Sequence, residues 1–141
     1  MKKKILLPID LSQKLTANHA ATIAAQFSEM TGAPVRVIYI MPQMTHLLES
    51  YVHTDARKRE EAEARERLRE FVEAQVPGAT EVELLSCSGS VYSEILADAE
   101  RSGSDLIVIA SHQPELSDYL LGSNAAKVVR HAKCDVYVVR N

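Results

Sequence analysis

The feature that most constrains the fold is a regular alternation of short apolar segments with longer segments of helical periodicity. The first apolar segment, 4–10, shows no exchange of apolar and polar residues, which indicates a strand buried on both faces, as in a parallel sheet. The alternation predicts an open five-stranded parallel α/β sheet with helices on both faces, joined by right-handed crossovers. The first strand is predicted within segment 4–10, and the others at 35–41, 81–86, 105–110 and 135–139. Helices are predicted near 15–30, 55–75, 91–102 and 125–132.

Short-range signals predict where several of these elements end. Pro8 has no backbone N–H, so the first strand is predicted to end there. Ser12 or Thr16 is a candidate N-cap of the first helix, because a hydroxyl oxygen can accept a hydrogen bond from a free backbone N–H. Gly32 and Gly103 lie where the first and third helices are predicted to stop, since glycine readily adopts the left-handed conformation that follows many helices.

Other segments carry signals of their place in the fold. Segment 81–86 begins with alternating residues, which predicts a half-exposed edge strand. Segment 105–110 is the most apolar of the five and is predicted to be central in the sheet. Residues 42–54 show no clear period and are predicted to form a mobile loop or a lid. The charged run 55–75 is interpreted as the solvated face of a helix.

Length and composition exclude several classes of protein. At 141 residues the chain is predicted to be one domain, 1–141. Its net charge of −3, with both signs mixed, argues against nucleic acid as a partner. No apolar run approaches the roughly 18 residues of a membrane helix, and the lysines at 2–4 precede too short an apolar stretch for a signal peptide. Because Cys87, Cys134 and the histidines match no metal or redox spacing, we expect a cytoplasmic protein with reduced cysteines and no metal site.

A ligand site is expected at the carboxyl ends of the strands. In open parallel sheets ligands bind where the strand order reverses, which in the usual order 3-2-1-4-5 lies between the first and fourth strands. Gly122-Ser123-Asn124 opens the last helix opposite that point, where free N–H groups and the positive end of the helix dipole attract an anion. We therefore expect a small ligand that carries phosphate. The residues that leave the two strands are Pro8, Ile9, Asp10, Ala110, Ser111, His112 and Gln113.

Several of these residues also have a purely structural interpretation. Asp10 either caps the turn after the first strand or accepts hydrogen bonds from ribose hydroxyls. His112 either bonds to loop backbone or orients a phosphate as an acid–base group. Gly-Ser-Asn is an ordinary helix start as well, although a glycine at 122 would let a phosphate approach the backbone closely. The residues alone leave these alternatives open.

Two motifs carry a resemblance to a known family. The first is Ile5-Leu6-Leu7-Pro8-Ile9-Asp10, with Ser111-His112 after the fourth strand. The second and more specific motif is Leu120-Leu121-Gly122-Ser123-Asn124-Ala125-Ala126-Lys127-Val128-Val129-Arg130-His131-Ala132. Both resemble the universal stress protein family, and the resemblance extends over the whole chain. It implies a sheet of order 3-2-1-4-5, of the Rossmann-like adenine nucleotide α-hydrolase type, and a homodimer joined through the last strand, or a tetramer.

The resemblance also implies a nucleotide site. In members of the family that bind ATP, the adenosine lies against the ends of the first two strands, and the phosphates lie at the loop after strand four and at the last helix. The implied ligand is ATP, with or without Mg²⁺, and ADP and AMP are alternatives. By position this nominates Pro8, Ile9, Asp10 and Ile40 for the nucleoside, and Ala110, Ser111, His112, Gln113, Gly122, Ser123 and Asn124 for the phosphates.

One departure from the family pattern separates two hypotheses about function. The usual Gly-x-x-Gly has Ala110 and Gln113 in place of its glycines, and only Gly122-Ser123 is retained. The first hypothesis is an ATP-binding, nucleotide-sensing regulator of a stress response, and the second is a dimeric interaction module that has lost ATP binding. The sequence shows no Walker-type lysine and no carboxylate pair near Gly122. We therefore assign no catalytic residue and expect at most slow ATP hydrolysis or self-phosphorylation.

Overall fold

The computed structural model describes residues 2–42, 54–87, 89–111 and 122–140. They form an open five-stranded parallel sheet in the order β3-β2-β1-β4-β5, so the predicted fold and strand order are confirmed. Of the loop predicted at 42–54, residues 43–53 lie outside the described residues. The strands are β1 (Ile5–Ile9), β2 (Val35–Pro42), β3 (Glu81–Cys87), β4 (Leu106–Ser111) and β5 (Asp135–Arg140), and the helices are α1 (Lys14–Thr31), α2 (Thr54–Gln75), α3 (Val91–Ser102) and α4 (Ser123–His131).

The positions of two strands test the expectations from their composition. β3 is an edge strand, as its alternating residues predicted. β4 is not central, because β1 occupies the middle of the sheet and β4 lies between β1 and β5. The apolar composition of β4 has another cause. Like every interior strand of this sheet, β4 is paired on both edges and covered by helices on both faces.

Two hydrophobic layers cover the faces of the sheet. Leu7 of β1 belongs to the layer under α1 and α2, together with Phe71 of α2. Leu6, its neighbour, belongs to the layer under α3 and α4, together with Ile95 and Val128. Consecutive side chains of a strand point to opposite faces, so the unbroken apolar run of β1 supplies both layers.

The helix ends confirm two of the predicted signals and correct two others. Gly32 and Gly103 follow α1 and α3 in the left-handed conformation, with φ of 77° and 73°. The N-cap of α1 is Gln13, and no side chain caps it, so the prediction of Ser12 or Thr16 was wrong. The hydroxyl of Thr16 lies inside the first turn and donates to the carbonyl of Gln13, while that of Ser12 is taken by the preceding turn.

The sheet opens at its carboxyl end, between β1 and β4. β1 pairs with β2 along its whole length, but with β4 only through Ile5–Leu106 and Leu6–Ile107. Pro8 lies two residues beyond the last of these pairs, and its missing N–H removes a donor from β1 where the two strands part. β1 nevertheless runs one residue past its predicted end, because Pro8 and the residue after it stay paired with β2.

An ion cluster around the buried pair Arg36 and Asp98, called here the Arg36 cluster, joins α3 to the amino ends of β2 and β3. Its other members are Glu81, Glu83 and Arg101, which are at least partly exposed. Arg36 Nε and Nη2 donate to the two carboxylate oxygens of Asp98 at 2.8 and 2.7 Å. Arg36 also donates to Glu81 and Glu83 at 3.0 and 2.9 Å, and Arg101 donates to Asp98 at 2.8 Å. Burial raises the pKa of Asp98, but the hydrogen bonds from Arg36 and Arg101 outweigh burial and hold that pKa below its ordinary value.

The cysteines and the helices of the described ranges bear on the remaining expectations. Cys87 is buried and Cys134 half-buried, neither forms a disulfide, and burial raises the pKa of both thiols. Within the part of the chain that the structure describes, no helix is both long and apolar enough to cross a membrane. The same residues contain no group of three or more His, Cys, Asp or Glu side chains arranged to hold a metal ion.

Candidate functional site

A cavity of about 440 Å³ lies at the carboxyl ends of the strands, beside the opening between β1 and β4. Its volume falls within the range of about 300–1,000 Å³ that is typical of small-molecule sites. The ends of β1, β2 and β4 and the first turns of α1, α3 and α4 form its walls. Eight of the residues nominated from the sequence line it: Pro8, Ile9, Asp10, Ile40, Ala110, Gly122, Ser123 and Asn124.

The three remaining nominated residues follow one another at the end of β4. Ser111 is the last residue of β4, and its Oγ accepts a hydrogen bond of 2.8 Å from the N–H of Gly122. This bond ties the end of β4 to the start of α4. His112 and Gln113 lie outside the described residues, so their nomination stays a prediction.

Asp10 caps the turn between β1 and α1. Its Oδ1 accepts hydrogen bonds from the N–H and the hydroxyl of Ser12, at 2.9 and 2.6 Å, which confirms the structural alternative raised from the sequence. The side chain is exposed and also lines the cavity. Because both bonds end on Oδ1, the second carboxylate oxygen has no partner among the described residues and can accept from a ligand.

Three helices begin at this cavity, and none of them has a side-chain cap. The N-caps are Gln13 for α1, Ser90 for α3 and Gly122 for α4. In α4 the first helical bond runs from the N–H of Ala126 to the carbonyl of Gly122, so the N–H groups between them have no partner within the helix. Free N–H groups and the positive ends of helix dipoles make this end of the cavity favourable for an anion.

The backbone conformation at position 122 does not require a glycine. Its φ of −58° and ψ of 151° are accessible to any residue. The residue is buried against the cavity and carries no side chain, so its backbone can be approached closely by a ligand. The turn before α4 therefore does not itself require a glycine at 122.

The lining of the cavity comes from both layers of the fold. Tyr39 packs against the layer under α1 and α2, whereas Ile40 and Ile95 belong to the layer under α3 and α4. The starts of helices that follow parallel strands share the ligand-binding edge, and this rule would have found Gln13. The lining residues that we did not nominate are Ser12, Gln13, Thr16, Ala17, Tyr39, Val91, Ile95, Ile109 and Ala125.

Solved structures of other proteins share this fold. The structure described as that of hypothetical protein MJ0577 has a TM-score of 0.78 at 24% identity, covering 99% of this chain and 96% of that one. A universal stress protein in complex with cAMP has a TM-score of 0.68 at 21% identity, with 99% and 97% covered. The universal stress protein from Archaeoglobus fulgidus in complex with dAMP has a TM-score of 0.66 at 21% identity, with 96% of each chain covered.

Related sequences match this chain over nearly its whole length. Universal stress protein G of Shigella flexneri is 33% identical over 143 aligned residues, which include 99% of this chain and the whole of that protein. The model of the family described as "Universal stress protein family" matches residues 1–140. The chain therefore belongs to the universal stress protein family.

Proposed function

We propose that the cavity binds adenine nucleotides, including ATP, and that the chain is a nucleotide-sensing regulator of a stress response. The observation that carries this proposal is the arrangement of three groups around one cavity: the uncapped start of α4, the half-free carboxylate of Asp10 and an apolar wall at the end of β2. These groups match the three parts of a nucleotide, which are phosphate, ribose and base.

Each part of a nucleotide has a partner with suitable chemistry. Ile40 and Ile95 offer apolar surface to a base. The free oxygen of Asp10 can accept from a ribose hydroxyl, because the other oxygen holds the turn in place. Ser123 and Asn124 present backbone N–H groups at the positive end of α4 to a phosphate.

The comparisons support a nucleotide as the ligand. Two proteins of the same fold are described in complex with cAMP and with dAMP, both of which contain adenine, a sugar and one phosphate. At about a fifth identity these structures carry the fold only, so the assignment to this chain rests on its own cavity.

Turnover is expected to be slow. Phosphoryl transfer needs charge neutralisation and a placed base. The lining residues that the structure describes include Asp10 but no lysine, arginine or second carboxylate. We therefore assign a regulatory role, with slow ATP hydrolysis or self-phosphorylation as the upper limit of catalysis.

Replacing Gly122 by valine is expected to weaken binding of ATP and AMP at least about tenfold, or about 1.4 kcal/mol. The valine side chain would project where a phosphate approaches the backbone, while the φ and ψ of residue 122 suit valine. Isothermal titration in the presence of Mg²⁺ measures the change, and Asp10→Ala then tests the ribose contact.

The matched control is Gly78→Val, at a glycine outside the lining where an added Cβ meets no atom within 4 Å. This variant should bind like the unaltered chain. If the folded, unaltered protein gives no heat with millimolar ATP, ADP or AMP, nucleotide binding is wrong. The alternative, a nucleotide-independent interaction module, would then be favoured.

We also propose that the chain forms a homodimer through β5. If the assembly is a tetramer, we expect it to contain the same β5 interface. Among the described residues β5 pairs with β4 alone, so it is an edge strand of the sheet. Tyr137 on β5 is 41% exposed and its ring contacts Phe27 of α1 edge to face, at 5.3 Å between centroids. Met30, about one turn further along α1, is 73% exposed. An unpaired strand edge beside exposed apolar side chains is suited to pairing with a second copy.

Replacing Tyr137 by glutamate is expected to convert the dimer to a monomer. A charge placed in an apolar contact between copies costs desolvation energy, and two symmetry-related glutamates would also repel each other. Light scattering after gel filtration should give twice the chain mass of 15.6 kDa for the unaltered protein. The variant should have the mass of one chain. The control is Val82→Glu on β3, the opposite edge strand, where the replaced side chain is 40% exposed. A monomeric unaltered protein would contradict the dimer.

A further inference from the structure

Helix α1 begins at a residue that is poorly suited to capping a helix. Residue 13 is the N-cap, a position that favours serine, threonine, aspartate and asparagine, because their short side chains reach the free N–H groups of the first turn. The chain has a glutamine there, and its side chain makes no capping bond. The hydroxyl of Ser12 donates to Asp10 instead. Stability of the helix start therefore does not explain the glutamine.

Gln13 lies on the same turn as Asp10. Its N–H donates to the carbonyl of Asp10 at 3.0 Å, so the two residues are the ends of one tight turn. Both residues line the cavity, and Gln13 is half-buried. The side-chain amide of Gln13 has no hydrogen-bond partner within the described residues. The turn thus brings a free amide and a half-free carboxylate to one place in the lining.

These two groups are complementary to a pair of neighbouring hydroxyls. An ionised carboxylate oxygen only accepts, so the free oxygen of Asp10 can bind the hydrogen of one hydroxyl. A second hydroxyl beside the first still needs a partner, and an amide can donate to its oxygen or accept its hydrogen. In a nucleotide such a pair is the 2′,3′-diol of ribose, and a deoxy sugar lacks one member of it. The apolar surface offered to the base, Ile40 and Ile95, belongs to the opposite layer.

We propose that Gln13 is a specificity-determining residue, which recognises the ribose diol together with Asp10 and makes the site prefer ribonucleotides to deoxyribonucleotides. The inference rests on the nucleotide-binding function proposed above and adds the sugar to its ligand class. A site that bonds a hydroxyl rejects the analogue without it, because a protein group is left unpaired. The preference should be moderate, about tenfold, because Asp10 is exposed and water can replace the missing hydroxyl. A residue that breaks a local rule of stability is expected at a functional site.

The test is isothermal titration with ATP, 2′-deoxy-ATP and 3′-deoxy-ATP, all in the presence of Mg²⁺. We expect the unaltered protein to bind ATP about tenfold more tightly than at least one of the deoxy analogues. Gln13→Ala should weaken ATP binding about tenfold and leave the affinity for that analogue unchanged to within about twofold, because the contact is already missing there. The matched control is Gln26→Ala, at an exposed glutamine of the same helix outside the lining, which should bind all three ligands like the unaltered chain.

The possible outcomes separate this inference from the proposed function. Equal affinities of the unaltered protein for ATP and both analogues would overturn the inference and leave nucleotide binding standing. The inference would also be wrong if Gln13→Ala weakened all three ligands equally, or weakened none of them. If the folded, unaltered protein bound none of the three, the inference and the proposed function would both be wrong.

A second variant separates recognition from a structural role. Gln13→Ser lacks the amide but places a favoured N-cap residue at the start of α1. We expect this variant to lose the preference for ATP while its Tm stays at least as high as that of the unaltered chain. A Tm lowered along with the preference would assign Gln13 to the stability of α1 and overturn the inference. Full retention of the ATP preference by Gln13→Ser would overturn it as well.

Discussion

Replacing Asp98 by alanine is expected to lower the free energy of unfolding by about 3–5 kcal/mol. Asp98 has no exposed surface, and it accepts two hydrogen bonds from Arg36 and one from Arg101. Arg36 is itself only 6% exposed, so its guanidinium would stay buried without its main partner. Glu81 and Glu83 still contact Arg36, which favours the lower end of the range.

Urea unfolding followed by circular dichroism measures this loss. The matched control is Glu100→Ala, which removes a carboxylate of the same helix that pairs at the surface with Lys133. Exposed ion pairs contribute little, so this control should lose only a small fraction of the stability that Asp98→Ala loses. Equal losses for the two variants would contradict the structural role assigned to the Arg36 cluster.

The same residue gives the stability a dependence on pH. The pKa of Asp98 in the folded chain lies below its ordinary value, because the hydrogen bonds from Arg36 and Arg101 outweigh the effect of burial. A depressed pKa contributes stability above the unfolded pKa of about 4, and this contribution is lost as the pH falls towards the folded pKa. Unfolding measured across this acid range should show a smaller slope in Asp98→Asn than in the unaltered chain.

Leu6→Ala and Leu7→Ala are each expected to cost about 2–5 kcal/mol. The two neighbours on the central strand are fully buried in opposite layers, Leu7 under α1 and α2 and Leu6 under α3 and α4. In a sheet covered on one face, only one of two consecutive residues would be costly to truncate. Denaturant unfolding of both variants, with the partly exposed Val82→Ala as control, tests the two-layer arrangement directly. A near-neutral effect at either leucine would contradict it.

Burial on both faces made most of the fold predictable. The unbroken apolar run of β1 is typical of a strand buried on both faces of a sheet. The glycines at 32 and 103 mark helix ends because of their left-handed backbone. The capping prediction failed for a local reason. Ser12 was a candidate by residue type, but the turn made by Asp10 uses its hydroxyl before α1 begins.

The candidate site was predictable where the chain leaves a strand or enters the last helix. Asp10 and Gly122 lie at such points, and both line the cavity. Tyr39 and Ile95 escaped notice because their apolar neighbours make them resemble ordinary core residues. Tyr39 and Ile95 line the cavity because of how α3 is placed relative to the end of β2. No local sequence pattern encodes that placement.

The short pairing between β1 and β4 divides the sheet into two ribbons, β3-β2-β1 and β4-β5. At the amino end of the joint, the N–H of Asp105 adds a bond to the carbonyl of Lys4, and both hydrophobic layers extend across the two ribbons. The cavity lies at the other end of the joint, with Pro8 on one ribbon and Ala110 on the other. A molecule that fills the cavity would therefore connect the two ribbons where their own ladder of hydrogen bonds is missing.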